Sequence, residues 1–148
     1  EPLLRARQEM CAIDVRDHSL RRVDSTPFPM DMDLLRPVVT APCRRMKLKL
    51  GEECLVYSYQ VRTMDTDLNH HMNNTNYIRL ILDAQPSSFW DRYRVQEFDV
   101  HYVNESVEGE EIQVYCQTEA QEMAVQIKRG ETTLVKAFLQ LAQREKSE

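Results

Sequence analysis

A chain of 148 residues with 19 Lys and Arg against 24 Asp and Glu carries a formal net charge of −5. That length suits one domain and is short for two ordinary ones. The mild acidity, without a basic patch interleaved with aromatics, argues against nucleic acid as the main partner. No apolar run is long enough to span a membrane or to act as a secretory leader.

Residues 3–24 read as a hairpin, with one strand through Val15, a polar turn at Asp17-His18-Ser19 and a short return over 20–23. Glu1 stands where a Met would start a chain, and the strand pattern already runs at Leu3. The chain therefore reads as a piece of something longer. Ser25, Thr26, Pro27, Pro29, Pro37 and Pro42 mark a stiff connector over 25–42, with one helical turn at 31–35. The domain boundary is placed there.

A second unit starts near Cys43. Residues 46–50 alternate apolar residues with lysine, and 54–61 are rich in strand formers, with Gly51 and Glu52 between them. Arg44, Arg45, Lys47 and Lys49 form a short basic run that suits an acidic partner, though a solvated strand face explains it more simply. A helix is predicted over 74–83. Tyr77, Ile78, Leu80, Ile81, Leu82 and Ala84 go round its whole circumference, the pattern of a helix buried on all sides. Pro86 stops it, and 87–93 is a short irregular or helical link.

The period then changes from helical to two. Residues 95–107 predict a long strand with Phe98, Val100 and Tyr102 on one face. Turns are expected at Glu108-Gly109-Glu110, at 119–122 and at Arg129-Gly130-Glu131. They separate inner rows of Ile112, Val114 and Cys116, then Met123, Val125 and Ile127, then a strand over 134–142. Four strands in meander order after one central helix predict an α+β chain, one antiparallel sheet with a helix on its face.

The cysteines, at 11, 43, 54 and 116, include no Cys-x-x-Cys pair, so a zinc site is not expected. Cys54 and Cys116 fall in apolar-patterned strands, where a free thiol acts as a small hydrophobe. A reducing cytoplasm fits best.

The densest signal lies just before the helix, in Asp65-Thr66-Asp67-Leu68-Asn69-His70-His71-Met72-Asn73-Asn74. So many polar groups beside a buried helix cost stability unless each is satisfied, and a sequence carries them mostly at a site. A capping loop with Asn73 or Asn74 as N-cap explains one or two and leaves the rest idle. In an extended segment Asp67, Asn69 and His71 share one face. His70 then falls on the other face, and Asp65 reads as a turn residue. Tyr77 reads as core, with a hydroxyl that needs a partner if buried.

The segment from Asp67 to Ile78 resembles the Asp-x-Asn-x-His-x-Asn-Asn-x-x-Tyr-Ile stretch of acyl-acyl carrier protein thioesterases of plant plastids and bacteria. The resemblance extends over about 3–142. It implies the hotdog fold, an antiparallel sheet wrapped around a central helix. Family members carry two such domains in tandem. On that pattern 1–24 is a remnant of a preceding hotdog domain, 25–42 the connector, and 43–145 the C-terminal hotdog domain. Tyr102-Val103-Asn104-Glu105 matches the family's Tyr-x-x-Glu on the strand after the helix. Where plant members follow that glutamate with a cysteine, this chain has Ser106. A serine without a strong base is a poor nucleophile, so the expected chemistry is water activation.

The implied catalytic set is Asp67, Asn69, His71 and Glu105, with no cofactor and no metal. Glu105 is the candidate general base, and a strand charge facing water is the plainer alternative. His71 shares the proton work, oriented by Asp67. The helix N-terminus and Asn69 face the developing oxyanion, where one donor is worth about 3 kcal/mol. The expected substrate is acyl carrier protein bearing a fatty acyl thioester. The expected partner is the N-terminal hotdog domain or a second copy of the chain. An acyl-CoA thioesterase of the single-hotdog type, or a non-catalytic acyl-binding or dimerisation module, is the alternative.

Overall fold

The computed structural model describes residues 46–144 and, further toward the N-terminus, 6, 8, 12–14, 16–17 and 19–21. The chain divides into two units, Glu1–Arg44 and Arg45–Glu148. In the first, β1 (Ala12–Ile13) pairs antiparallel with β2 (Leu20–Arg21), in the hairpin the sequence predicts. The Asp14 carboxylate ties its turn, accepting from the Arg16 N–H at 2.9 Å and from Arg21 at 2.8 Å. The proline connector and the Arg44–Arg45 part of the basic run lie outside the described residues, as do Cys11 and Cys43.

The second unit is one five-stranded antiparallel sheet. Its strands are β3 (Leu55–Gln60), β4 (Tyr93–Tyr102), β5 (Glu111–Glu119), β6 (Glu122–Arg129) and β7 (Thr132–Gln143). They lie in the order β3-β5-β6-β7-β4. Strands β5, β6 and β7 form the expected meander; Gly109, in the turn that leads into β5, and Gly130, between β6 and β7, take the left-handed conformation that glycine adopts without strain. The expected meander order fails at β4. That strand pairs with β7 on one edge, while β5 takes β3 as its other neighbour. Alternation fixes which face a residue takes, and it says nothing about which strand lies alongside.

The expected strand over 95–107 ends at Tyr102. Val103 and Asn104 both donate to the Leu134 carbonyl, at 2.7 and 3.1 Å, which turns the chain off the edge. The connection crosses the end of the sheet and reaches Val61, where the Gly109 N–H donates to the Val61 carbonyl at 2.8 Å. Glu105 therefore sits on a loop, not on a strand.

Helix α1 (Asn74–Asp83) lies against the sheet, in the α+β hotdog layout that the sequence predicts. Asn73 caps it, accepting from the Thr75 N–H at 2.8 Å. Helix α2 (Ser87–Trp90) follows Pro86. The buried face of α1 is Tyr77, Leu80, Ile81 and Ala84, the i, i+3, i+4, i+7 stripe. It packs on Ile112, Val114, Val125, Ile127, Ala137 and Leu139, whose inward side chains alternate along β5, β6 and β7. Each fully buried Leu or Ile contributes about 1.5–3 kcal/mol. Burial on all sides is not what forms. Ile78 and Leu82 are half-buried on the flank and Arg79 and Asp83 are exposed, because the sheet reaches one face of the cylinder.

Residues 46–50 form no strand either. Leu50 donates its N–H to Gln126 Oε1 at 2.9 Å, and its carbonyl accepts from Lys128 Nζ at 3.0 Å. Gln126 and Lys128 point away from the helix side of β6, so side chains hold this segment in place of a strand ladder. Cys54 lies in a 3-10 turn over Glu52–Cys54, one residue before β3. No helix among the described residues is long and apolar enough to cross a membrane.

Candidate active site

Two loops meet at the N-terminal end of α1. The first is a small hairpin closed by an antiparallel bridge between Thr66 and Met72. The Asp67 N–H donates to the His71 carbonyl at 2.8 Å, and the His70 N–H to the Asp67 carbonyl at 3.0 Å. Asp67 Oδ1 accepts from the Asn69 N–H at 2.8 Å, an Asx turn. His70 takes a φ of 63°, the left-handed conformation that tightens the loop.

The extended segment expected over 67–71 is therefore a turn, and alternation does not bring its side chains together. The Asp67 carboxylate serves the loop backbone and does not bond the His71 imidazole, which corrects the orienting role. The Asn69 side chain is exposed and has no hydrogen-bond partner among the described residues.

The second loop is the connection over 103–110. His71 bridges Val107, and the Met72 N–H donates to the Ser106 carbonyl at 2.8 Å. This short ladder sets the two loops side by side and places His71 Nε2 3.2 Å from Glu105 Oε2. The two side chains are 37% and 63% exposed, so water reaches both. His71 and Glu105 are thus brought into direct contact. Asp67 and Asn69 lie on the same hairpin as His71, but their side chains hydrogen-bond neither the His71 imidazole nor the Glu105 carboxylate.

Ser106 points the other way. It is fully buried, 2.6 Å from the Tyr77 hydroxyl and 3.6 Å from Met72 Sδ. Burial pushes the Tyr77 phenol up, beyond the lowering effect of its bonds to Ser106, so it stays protonated. Tyr77 finds its partner, as a buried tyrosine must. Tyr102 packs tilted on its ring, with centroids 6.1 Å apart, and donates to the Asn74 carbonyl at 3.3 Å.

Asp65 is the residue whose importance the sequence hides. It is only 3% exposed. Its carboxylate accepts from the Tyr59 hydroxyl at 2.7 Å, the Arg62 N–H at 2.8 Å and Arg79 Nη2 at 3.1 Å. Its carbonyl accepts from the Asn73 N–H at 2.8 Å and from Asn76 Nδ2 at 2.9 Å. Burial pushes its acid up, but the Tyr59, Arg62 and Arg79 donors outweigh that and hold it below the usual carboxylate range. Asp65 thus anchors both the start of the hairpin and the start of α1.

An open groove of about 440 Å³ lies between β3 and α1, lined by Tyr57, Tyr59, Arg62, Asp65, Arg79 and Asp83 among others. None of Asp67, Asn69, His71 and Glu105 lines this groove, and His71 and Glu105 meet on the loops at the helix N-terminus. Among the described residues no group of three His, Cys, Asp or Glu side chains has the geometry to hold a metal ion.

Residues 48–137, more than half of the chain, match the family described as acyl-ACP thioesterase C-terminal domain. Among solved structures, an acyl-ACP thioesterase from Bacteroides thetaiotaomicron superposes with a TM-score of 0.68 at 21% identity, over 88% of this chain and 53% of that one. The 12:0-ACP thioesterase from Umbellularia californica gives 0.62 at 18% identity, over 68% of this chain and 40% of its own. A Thermus thermophilus thioesterase complexed with coenzyme A and Zn gives 0.54 at 18%, over 62% and 80%. These likenesses show the hotdog fold. The chain spans about half the length, or less, of the two acyl-ACP thioesterases. No curated protein matches it.

Proposed function

We infer the reaction from one premise: the chain belongs to the acyl-ACP thioesterase C-terminal domain family. We propose that it hydrolyses the thioester of a fatty acyl-acyl carrier protein, releasing the free fatty acid, by activation of water. The observation that carries this reading is the 3.2 Å approach of His71 Nε2 to Glu105 Oε2 on a water-accessible surface beside a helix N-terminus.

In the proposed step Glu105 takes a proton from a water molecule as that water attacks the thioester carbonyl. The carbonyl becomes a tetrahedral oxyanion, facing the free side-chain amide of Asn69 and the positive end of α1. Collapse breaks the C–S bond, and the proton held between Glu105 and His71 passes to the leaving thiolate. A serine nucleophile is disfavoured by geometry. Ser106 Oγ is buried and bonded to Tyr77, and the residue before it presents the carboxylate.

The proposed partner is a second hotdog domain, N-terminal in the same polypeptide or supplied by another copy. Coenzyme A as carrier is the second reading, favoured by the likeness to the coenzyme A complex from Thermus thermophilus. One assay separates the readings. The full chain is given the same acyl group on carrier protein and on coenzyme A, alongside Glu105→Gln. Faster turnover on carrier protein, with a loss of about two to four powers of ten in the variant, supports the proposal. Undiminished turnover by Glu105→Gln refutes the base assignment.

A further inference from the structure

We propose that Arg129, paired with Glu110, is a positioning residue for Glu105. The inference rests on the reading of Glu105 as the base. Glu105 lies on a connection outside the five-stranded sheet, and an exposed carboxylate on a free loop would sample many positions. The structure fixes the backbone around it instead. Arg129 Nη1 donates to both carboxylate oxygens of Glu110, at 2.8 and 2.7 Å, and to the Glu105 carbonyl at 3.3 Å. Glu110 Oε2 in turn accepts from the Val107 N–H at 3.0 Å. One ion pair therefore grips the carbonyl before Ser106 and the N–H after it.

The opposite side of the same loop is pinned to α1 and to the hairpin, through Tyr77 and Met72. Between these two holds, the Glu105 side chain is left free to reach His71. An isolated surface salt bridge contributes little to stability and has no need of such geometry. This pair is half-buried, meets Glu110 at both oxygens and is joined to two peptide groups of the site loop. Burial pushes the Glu110 acid up, but Arg129 and the Val107 N–H hold it below the usual carboxylate range, so Glu110 stays ionised at neutral pH. Arg129 ends β6 at the turn into β7, and the sheet is the rigid reference for the loop.

The test uses Arg129→Met and Glu110→Gln in the full chain, alone and combined with Glu105→Gln, assayed on an acyl-acyl carrier protein. A misplacement of about 1 Å costs about a hundredfold. The expected result is a kcat lower by about ten- to a hundredfold with KM changed less than about twofold. In the Glu105→Gln background the same substitutions should cost less than about twofold more. A crystal structure of Arg129→Met should show Glu105 out of hydrogen-bond reach of His71. Unchanged kcat in Arg129→Met, a full loss repeated in the Glu105→Gln background, or an unmoved Glu105 overturns the inference. Undiminished turnover by Glu105→Gln alone would instead overturn the base assignment, and the crystal structure then decides the positioning by itself.

Discussion

The hydroxyl of Ser106 lies 2.6 Å from that of Tyr77, inside the protein, while the carboxylate of its neighbour Glu105 lies outside against His71. Consecutive residues thus face opposite ways. One pins the loop and the other presents the acid. A serine in this position belongs to the packing, and Ser106→Ala tests that. The substitution leaves the Tyr77 hydroxyl without its partner in a buried place, at a cost of about 1–3 kcal/mol in unfolding free energy. The Met72 N–H still holds the Ser106 carbonyl at 2.8 Å in that variant, so thioesterase turnover should stay near the wild-type level at temperatures where it is folded. Loss of activity in a folded Ser106→Ala protein, with an acyl group trapped on Ser106 of the wild type, would mean covalent catalysis.

Asp67 and Asn69 separate by the kind of substitution they tolerate. The Asp67 carboxylate accepts the Asn69 N–H, a bond that an amide oxygen can also make. Asp67→Asn should therefore keep the hairpin and most of the turnover, while Asp67→Ala should lose both. Equal losses in the two variants would restore a charge role toward His71. The Asn69 amide is free to donate, so Asn69→Ala should lower kcat by about two to three powers of ten with little change in KM. A change in KM alone would remove Asn69 from the oxyanion.

The helix was legible because its signals are local. Asn73 supplies the cap, Pro86 the stop, and both ends of α1 fall where those residues put them. The turns at Gly109 and Gly130 were legible for the same reason. What periodicity could not supply was partnership. Val103 and Val107 are strand-forming residues beyond Tyr102, yet the Leu134 carbonyl draws Val103 and Asn104 out of the strand. That departure delivers Glu105 to His71, so the pairing of the two followed from a family motif and not from the residues' spacing. Asp65 escaped because its donors come from Tyr59, Arg62 and Arg79, which converge only after β3 and α1 have packed.

Asp65 also predicts how the fold responds to acid. Its folded carboxyl is held below the ordinary value of about 3.9, so its stabilisation is fully present above that pH. It is lost as pH falls through the lower folded value. Asp65→Asn should cost about 1.5–3 kcal/mol at neutral pH, the range for hydrogen bonds to a charged group. The gap between wild type and variant in denaturant unfolding should narrow below about pH 4. A gap that stays constant down to about pH 2 would show that the charge of Asp65 contributes nothing.

The last prediction concerns the surface around the His71–Glu105 pair. Leu68 on the hairpin is 98% exposed, and Val103 and Val107 on either side of Glu105 are 51% and 40% exposed. Each is apolar, and each belongs to a loop that carries a site residue. Single exposed apolar residues are ordinary, but three on two touching loops are the pattern of a surface awaiting cover. Covering a Leu or Val side chain fully contributes about 1.5–3 kcal/mol, enough together to favour association. The proposed cover is another hotdog domain, and another copy of this chain is available in a pure preparation. Light scattering should therefore find the chain larger than a monomer. Leu68→Ser with Val103→Ser should shift it toward monomer while changing unfolding free energy by less than about 0.5 kcal/mol per site. A chain that is monomeric at every concentration tested, and unchanged by those substitutions, would mean that these loops need no second domain.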